Sequence, residues 1–127
     1  MKYTVLIVDD SKLARMSMAK VLGALHPDWT RIEAANAAEA LEQARRISPE
    51  VVLVDFNMPG KDGVTLAAEL HALNPRISVA VISANRQVEV IKRTQAAGAS
   101  FLAKPLTESA LAEFLSAAQS RRNAASR

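Results

Sequence analysis

Hydrophobic positions along this chain fall into two periods that take turns. Five short runs are largely apolar, at residues 3–8, 31–35, 51–54, 78–82 and 100–103. Three of them contain unbroken apolar stretches: Val5, Leu6, Ile7 and Val8; Val51, Val52, Leu53 and Val54; Val79, Ala80, Val81 and Ile82. A strand with one wet face alternates in polarity, whereas one without alternation is covered on both faces, as in a parallel sheet. Between the runs, apolar residues recur at helical spacing. One stripe is Ala14, Met18, Val21, Leu22 and Leu25, and a second is Ala37, Leu41, Ala44 and Ile47. Leu66, Leu70 and Leu73 form a third, and Leu111, Phe114, Leu115 and Ala118 the last. A remaining stretch near residues 88–97 is the weakest, with Val88 and Ile91 as its main apolar residues.

Local chemistry agrees with these boundaries. Asn36 with Glu39 forms a capping-box pattern, Asp62 and Thr107 are placed to cap the third and last helices, and Gly98 to end the fourth. Pro27, Pro49 and Pro75 fall in the connections, where a missing N–H does no harm. Strict strand–helix alternation predicts a single-domain α/β protein, a (βα)₅ doubly wound parallel sheet with right-handed crossovers. The domain spans residues 1–118. Residues 119–127 turn polar and small, and are expected to fray as a basic C-terminal tail or to begin a linker.

Composition narrows the function classes. With 127 residues, half of them hydrophobic, the chain fits one domain with a proper core. The absence of cysteine excludes disulfides and thiolate metal sites. No apolar run approaches a membrane span, and the N-terminus lacks a signal-peptide cleavage pattern, so a cytoplasmic protein with no membrane partner is expected. The formal charge of +3 invites a nucleic-acid reading, but residues 1–120 are neutral, with 13 basic and 13 acidic residues. Arg121, Arg122 and Arg127 carry the excess, and with few aromatic residues there is no stacking platform, so direct nucleic-acid binding is not expected. Trp29 reads as packing, His26 and His71 as surface residues, and Arg86, Lys92 and Arg93 as a basic face of the fourth helix.

In an open parallel sheet, ligands bind beyond the carboxyl ends of the strands. Strand 1 ends in Asp9 and Asp10, strand 3 in Asp55, strand 4 in Ser83, and strand 5 leads to Lys104, while strand 2 ends in alanines and offers nothing. Three carboxylates on one rim repel one another unless a cation sits among them, and Mg²⁺, a hard oxygen-seeking ion, suits that role. A phosphate arriving there would find positive charge on Lys104 and a donor on Ser83. No cysteine or strand-end histidine competes, so a carboxylate is the plausible nucleophile.

Over residues 3 to about 118 the chain resembles the receiver domain of two-component response regulators. The matching pieces are Asp9-Asp10, Asp55-Phe56-Asn57-Met58-Pro59-Gly60 with Gly63, Ser83-Ala84 and Lys104-Pro105. The resemblance implies a flavodoxin-like strand order 2-1-3-4-5, with Asp55 as phosphoacceptor. It implies Mg²⁺, with Mn²⁺ as an alternative, held by Asp10, Asp55 and the Asn57 backbone carbonyl, with Asp9 acting through a water. Lys104 would pair with Asp55 and then with the phosphate, Ser83 would bond a phosphoryl oxygen, and Phe101 would hold the switch position. Asn57 and Asn85 would tune phosphate lifetime, and Lys104-Pro105 would be cis.

The implied donor is a histidine kinase or a histidine phosphotransfer protein. The implied output runs through the face of helix 4, strand 5 and helix 5, to a partner or output domain, with phosphorylation-dependent homodimers in some members. Such a protein is a signalling switch that catalyses its own phosphorylation and dephosphorylation, not a conventional enzyme. Met1 and the early stop point to a stand-alone receiver, while the polar tail fits equally the start of a linker. The alternatives are a haloacid-dehalogenase-type phosphatase, for which Asn57 stands where an acid is usual, and an interaction module that is never phosphorylated.

Overall fold

The computed structural model describes residues 2–125. Strands and helices alternate without exception: β1 (Thr4–Val8), α1 (Lys12–Leu25), β2 (Thr30–Ala34), α2 (Ala37–Ile47), β3 (Val51–Asp55), α3 (Gly63–Leu73), β4 (Ser78–Ser83), α4 (Val88–Ala96), β5 (Ser100–Ala103) and α5 (Glu108–Ala125). All neighbouring strands pair in parallel, in the order β2-β1-β3-β4-β5, as the resemblance implies. The Lys104–Pro105 bond is cis.

The unbroken apolar strands follow from a sheet with a core on each face. Leu6, Val8, Val52, Val54, Val79 and Val81 pack on one side with Ala40, Ala44, Leu66 and Leu70 of α2 and α3. Val5, Ile7, Val51, Leu53, Ala80 and Ile82 pack on the other with Met18, Leu22, Leu111 and Leu115 of α1 and α5. Successive side chains of a strand point to opposite faces, so both parities must be apolar here. Each such Leu, Ile or Val, fully buried, contributes about 1.5–3 kcal/mol.

The expected caps of α2, α3 and α5 form, and Ser11 supplies one for α1. Amides of Ala14, Glu39, Thr65 and Ala110 donate to the side chains of Ser11, Asn36, Asp62 and Thr107, and Gly98 adopts the positive φ of 80° that ends α4.

Three expectations are corrected. Val88 is 64% exposed and does not anchor α4; Val90 and Thr94 are its buried positions. The Thr94 hydroxyl donates to the Val90 carbonyl at 2.7 Å, so a polar residue fills an apolar place that a hydrophobic count passes over. His26 is not a plain surface residue: its half-buried ring stacks on Trp29 at 3.6 Å, and Trp29 stacks on Tyr3 at 4.8 Å. Finally, the chain past Ala118 does not fray within the described residues. α5 continues to Ala125 because Arg121 donates to the Ser78 hydroxyl at 2.8 Å and Arg122 to the Arg76 carbonyl at 2.9 Å, with the Arg122 guanidinium 5.9 Å from the Tyr3 ring centre. Met1 and Arg127 lie outside the described residues. Among the described residues no helix is long and apolar enough to cross a membrane.

Candidate functional site

Parallel strands deliver their carboxyl ends to one edge, and the order reverses between β1 and β3, opening a crevice there. Asp9 and Asp10 leave β1, Asp55 closes β3, Ser83 closes β4 and Lys104 follows β5. The ladder extends beyond the strands: the amides of Asp9, Phe56 and Lys104 donate to the carbonyls of Ala34, Ile82 and Ser83 at 3.2, 2.9 and 3.0 Å. The rim backbone is therefore as constrained as the sheet. Carboxylate oxygens of Asp9, Asp10 and Asp55 lie within 4.8 Å of one another, and Lys104 Nζ is 2.6 Å from Asp55 Oδ1.

Charge dominates this edge. Asp9 and Asp55 are buried, Asp10 is exposed and Lys104 half-buried. Burial, then the nearby Asp55 charge, push the Asp9 carboxyl above its ordinary value, against the opposing Ser11 amide, which donates to Asp9 Oδ1 at 2.9 Å, and Lys104. Asp55 Oδ1 has the ion pair with Lys104 but accepts no aligned hydrogen bond although it is buried. Three carboxylates against one ammonium leave the rim short of positive charge. The acidic group and the unsatisfied Asp55 oxygen fit a divalent, oxygen-preferring cation.

Glycine is required once here. A Cβ on Gly63 would meet the Asp55 carbonyl oxygen at 2.5 Å, and the Gly63 amide donates to the Phe56 carbonyl at 2.9 Å. The first turn of α3 thus presses directly on the backbone of Asp55. Ser83 is buried, its hydroxyl accepting the Asn85 amide at 2.9 Å. The Asn85 side chain turns toward α4, accepting the Gln87 amide at 3.0 Å, and Asn57 is exposed beside the rim. Phe101 belongs to neither core cluster and lines a surface groove of about 340 Å³ with Leu102, Glu113 and Phe114.

Two residues of this neighbourhood escape the sequence reading. Arg15 of α1 donates from Nη1 to the Asp9 backbone carbonyl at 2.7 Å and from Nε to Glu33 Oε1 at 2.8 Å. Strand β2, expected to offer nothing, supplies through Glu33 the group that aims Arg15. Only the helical phase of Arg15, facing the Asp9 end of β1, could have signalled this.

Fold and rim together define a class: an open five-stranded α/β protein with acids and a lysine gathered where the strands end. The model of the response regulator receiver domain matches residues 5–116, and the chain belongs to that family. It is 31% identical over 112 residues to the chemotaxis protein CheY of Thermotoga maritima, covering 87% of this chain and 92% of that one. It is 37% identical over 114 residues to the positive alginate biosynthesis regulatory protein of Pseudomonas aeruginosa, covering 87% of this chain but only 45% of that protein. Among solved structures, the receiver domain of NtrX from Brucella abortus superposes with a TM-score of 0.80 at 26% identity, covering 90% of this chain and 96% of the other. A CheY-like receiver from Methanospirillum hungatei superposes with a TM-score of 0.86 at 22% identity, covering 97% and 98%, a likeness of fold. The family is one of signalling switches, and the phosphatase alternative is not favoured.

Proposed function

We propose that Asp55 accepts a phosphoryl group from a phosphohistidine on a kinase or phosphotransfer protein in the cytoplasm. The convergence of Asp9, Asp10 and Asp55 with Lys104 carries this reading. In the transfer, an Asp55 carboxylate oxygen forms a bond to phosphorus as the phosphorus–nitrogen bond breaks, and the released imidazole takes a proton. Asp10, Asp55 and the Asn57 carbonyl would hold Mg²⁺, with Asp9 acting through water. When bound, the ion neutralises carboxylate and phosphoryl charge.

The remaining work belongs to the chain. Lys104, already on Asp55, moves its charge to a phosphoryl oxygen. The Ser83 hydroxyl, whose oxygen accepts the Asn85 amide, donates its hydrogen to a second phosphoryl oxygen. The acyl phosphate adds about −1.5 to −2 charges at the rim, and Asn57 and Asn85 flank the path of the water that later removes it. Phe101 then turns in from its groove, reshaping the α4–β5–α5 face that an output protein, an output domain or a second copy reads. The protein catalyses only its own phosphorylation and dephosphorylation.

Incubation with a small phosphodonor and Mg²⁺ tests this reading. Intact mass should rise by one phosphoryl group, and the gain should vanish with a chelator or in Asp55→Asn. Equal labelling of Asp55→Asn would defeat the assignment.

A further inference from the structure

Asp62 and Arg93 join the loop that leaves Asp55 to a helix of the face that an output partner would read. The Asp62 carboxylate is fixed independently of Arg93. Its Oδ1 accepts the Thr65 amide at 2.8 Å as the cap of α3. The next residue, Gly63, lies against the Asp55 backbone and donates to the Phe56 carbonyl. The second carboxylate oxygen, Oδ2, accepts Arg93 Nη2 at 3.1 Å.

α4 is more lightly held. Val90 and Thr94 are its buried residues, Val88 is exposed, and Gln87 at its start makes no side-chain cap. Arg93 also has a carboxylate on its own helix to turn to. Glu89 stands four residues earlier, the spacing and order at which an acid and a base pair along one helix face. Among the described residues, the ion pair of Arg93 is with Asp62.

We propose that the Asp62–Arg93 pair is a latch, which holds α4 in the arrangement of the unphosphorylated protein until Arg93 passes from Asp62 to Glu89. Asp55 as the phosphoacceptor is the reading on which this latch depends. Asp62 is anchored by its cap and by the loop beside Asp55, so a displacement of α4 away from that loop must break the pair. Transfer to Glu89 keeps the guanidinium paired, and the helix gains a second resting position. Both side chains are partly exposed, 50% for Arg93 and 33% for Asp62, and pairs of that kind bias an equilibrium by up to about fivefold. Such a bias sets how much protein sits in the active arrangement before any phosphoryl group arrives, and is too small to prevent switching.

Sign separates the latch from simple attraction of charge. Arg93→Gln removes a positive charge, which by Coulomb's law alone weakens an anion at the rim. Release of a latch does the reverse, because the anion no longer works against it.

Two measurements on the full chain test the latch: titration with beryllofluoride, a phosphoryl mimic, in Mg²⁺, and amide hydrogen exchange of the free protein. Arg93→Gln should bind beryllofluoride two- to fivefold tighter than the parent. Glu89→Gln should bind it more weakly, and that loss should disappear when Arg93→Gln is added. Asn caps as well as Asp, so Asp62→Asn keeps the start of α3 while removing the charge. In the free protein, α4 amides should exchange two- to fivefold faster in Arg93→Gln and in Asp62→Asn. The double variant should be no faster than either, and α3 amides should keep the parent's rates. Weaker beryllofluoride binding by Arg93→Gln, a Glu89→Gln loss that persists without Arg93, or exchange effects that add in the double variant would overturn the proposal. Failure of the parent to take up beryllofluoride would instead sink the Asp55 assignment. Exchange would then still decide the latch: coupling between Asp62 and Arg93 upholds it, and additivity removes it.

Discussion

At the scale of single residues, crowding of carboxylates at the rim costs stability. Burial and the Asp55 charge raise the Asp9 carboxyl above its ordinary value. A raised acid binds its proton more tightly folded than unfolded, so its contribution to stability is full below the unfolded value and is lost as pH rises from there through the higher folded one. Asp9→Asn removes that cost. Without metal it should melt several degrees higher than the parent at neutral pH, and the gain should shrink toward acid pH. With Mg²⁺ the order should narrow or reverse, because the parent gains ligand stabilisation that the variant has partly lost. Thermal melts with and without Mg²⁺ check this, and a variant no more stable than the parent in chelator contradicts the account of the crowded rim. Arg15 gives a second residue-scale test. It clamps the Asp9 carbonyl, the peptide that leads into Asp10. Arg15→Met should weaken Mg²⁺ severalfold while Asp55 remains phosphorylatable at saturating metal, and Glu33→Gln should do the same more weakly. Metal affinity equal to the parent's in both would show the clamp to be idle. The acids and Lys104 were legible in the sequence because each sits at a strand end, where topology alone fixes direction. Arg15 and Glu33 were not, because 18 residues separate them and a helical arginine reads as solvated.

At the scale of elements, Asp62 joins two helices. It caps α3 through the Thr65 amide at 2.8 Å and pairs with Arg93 of α4 at 3.1 Å. Burial works to raise its carboxyl, but the Thr65 amide and Arg93 outweigh it and hold it below its ordinary value. A depressed acid stabilises the fold above its unfolded value, about 3.9, and loses that contribution as pH falls through the lower folded one. Asp62→Ala should therefore cost about 1 kcal/mol at neutral pH, the usual worth of an N-cap. The gap from the parent should close as pH drops below 4, in denaturant melts at several pH values. A gap that stays constant into acid would mean the charge contributes nothing. The surface pair with Arg93 adds little by itself, but it makes α4 depend on the loop that follows Asp55. How well each element could be read follows the same logic. β1, β3 and β4 are apolar on both parities and stand out. α4 hides half its buried face in Thr94, and the last turns of α5 are held by arginines whose partners, Ser78 and Arg76, lie more than 40 residues away. Periodicity of apolar residues carries no trace of such polar ties.

At the scale of the whole molecule, the proposed function asks how a phosphoryl charge on Asp55 would reach a face built from β5 and its neighbours. The register supplies a short route. Phe101 pairs with Val81, and Ser83 lies two residues farther along β4, so all three side chains share one face of the sheet. Ser83 is held by the Asn85 amide, and Phe101 sits outside both core clusters in its surface groove. A phosphoryl group that captures Ser83 and Lys104 makes two bonds to charged oxygen, each worth about 1.5–3 kcal/mol. Their sum, about 3–6 kcal/mol before the Lys104–Asp55 pair given up is subtracted, reaches the roughly 5.5 kcal/mol needed to carry a two-state element from 1:99 to 99:1 only at its upper end. Ser83→Ala isolates this route, since it removes one of the two bonds and leaves Asp55, the acids and Lys104 in place. Beryllofluoride with Mg²⁺ should still bind the variant and move the amides of Asp10, Asp55 and Lys104. In the parent the shifts should extend to residues 100–103 and along α4; in Ser83→Ala they should fade beyond the rim, with the Phe101 ring signals unchanged from the free protein. If the variant transmits the full set of distant shifts, the signal travels by another path, and the Asp62–Arg93 link, which joins the Asp55 loop to α4 without touching Ser83, becomes the route to break next.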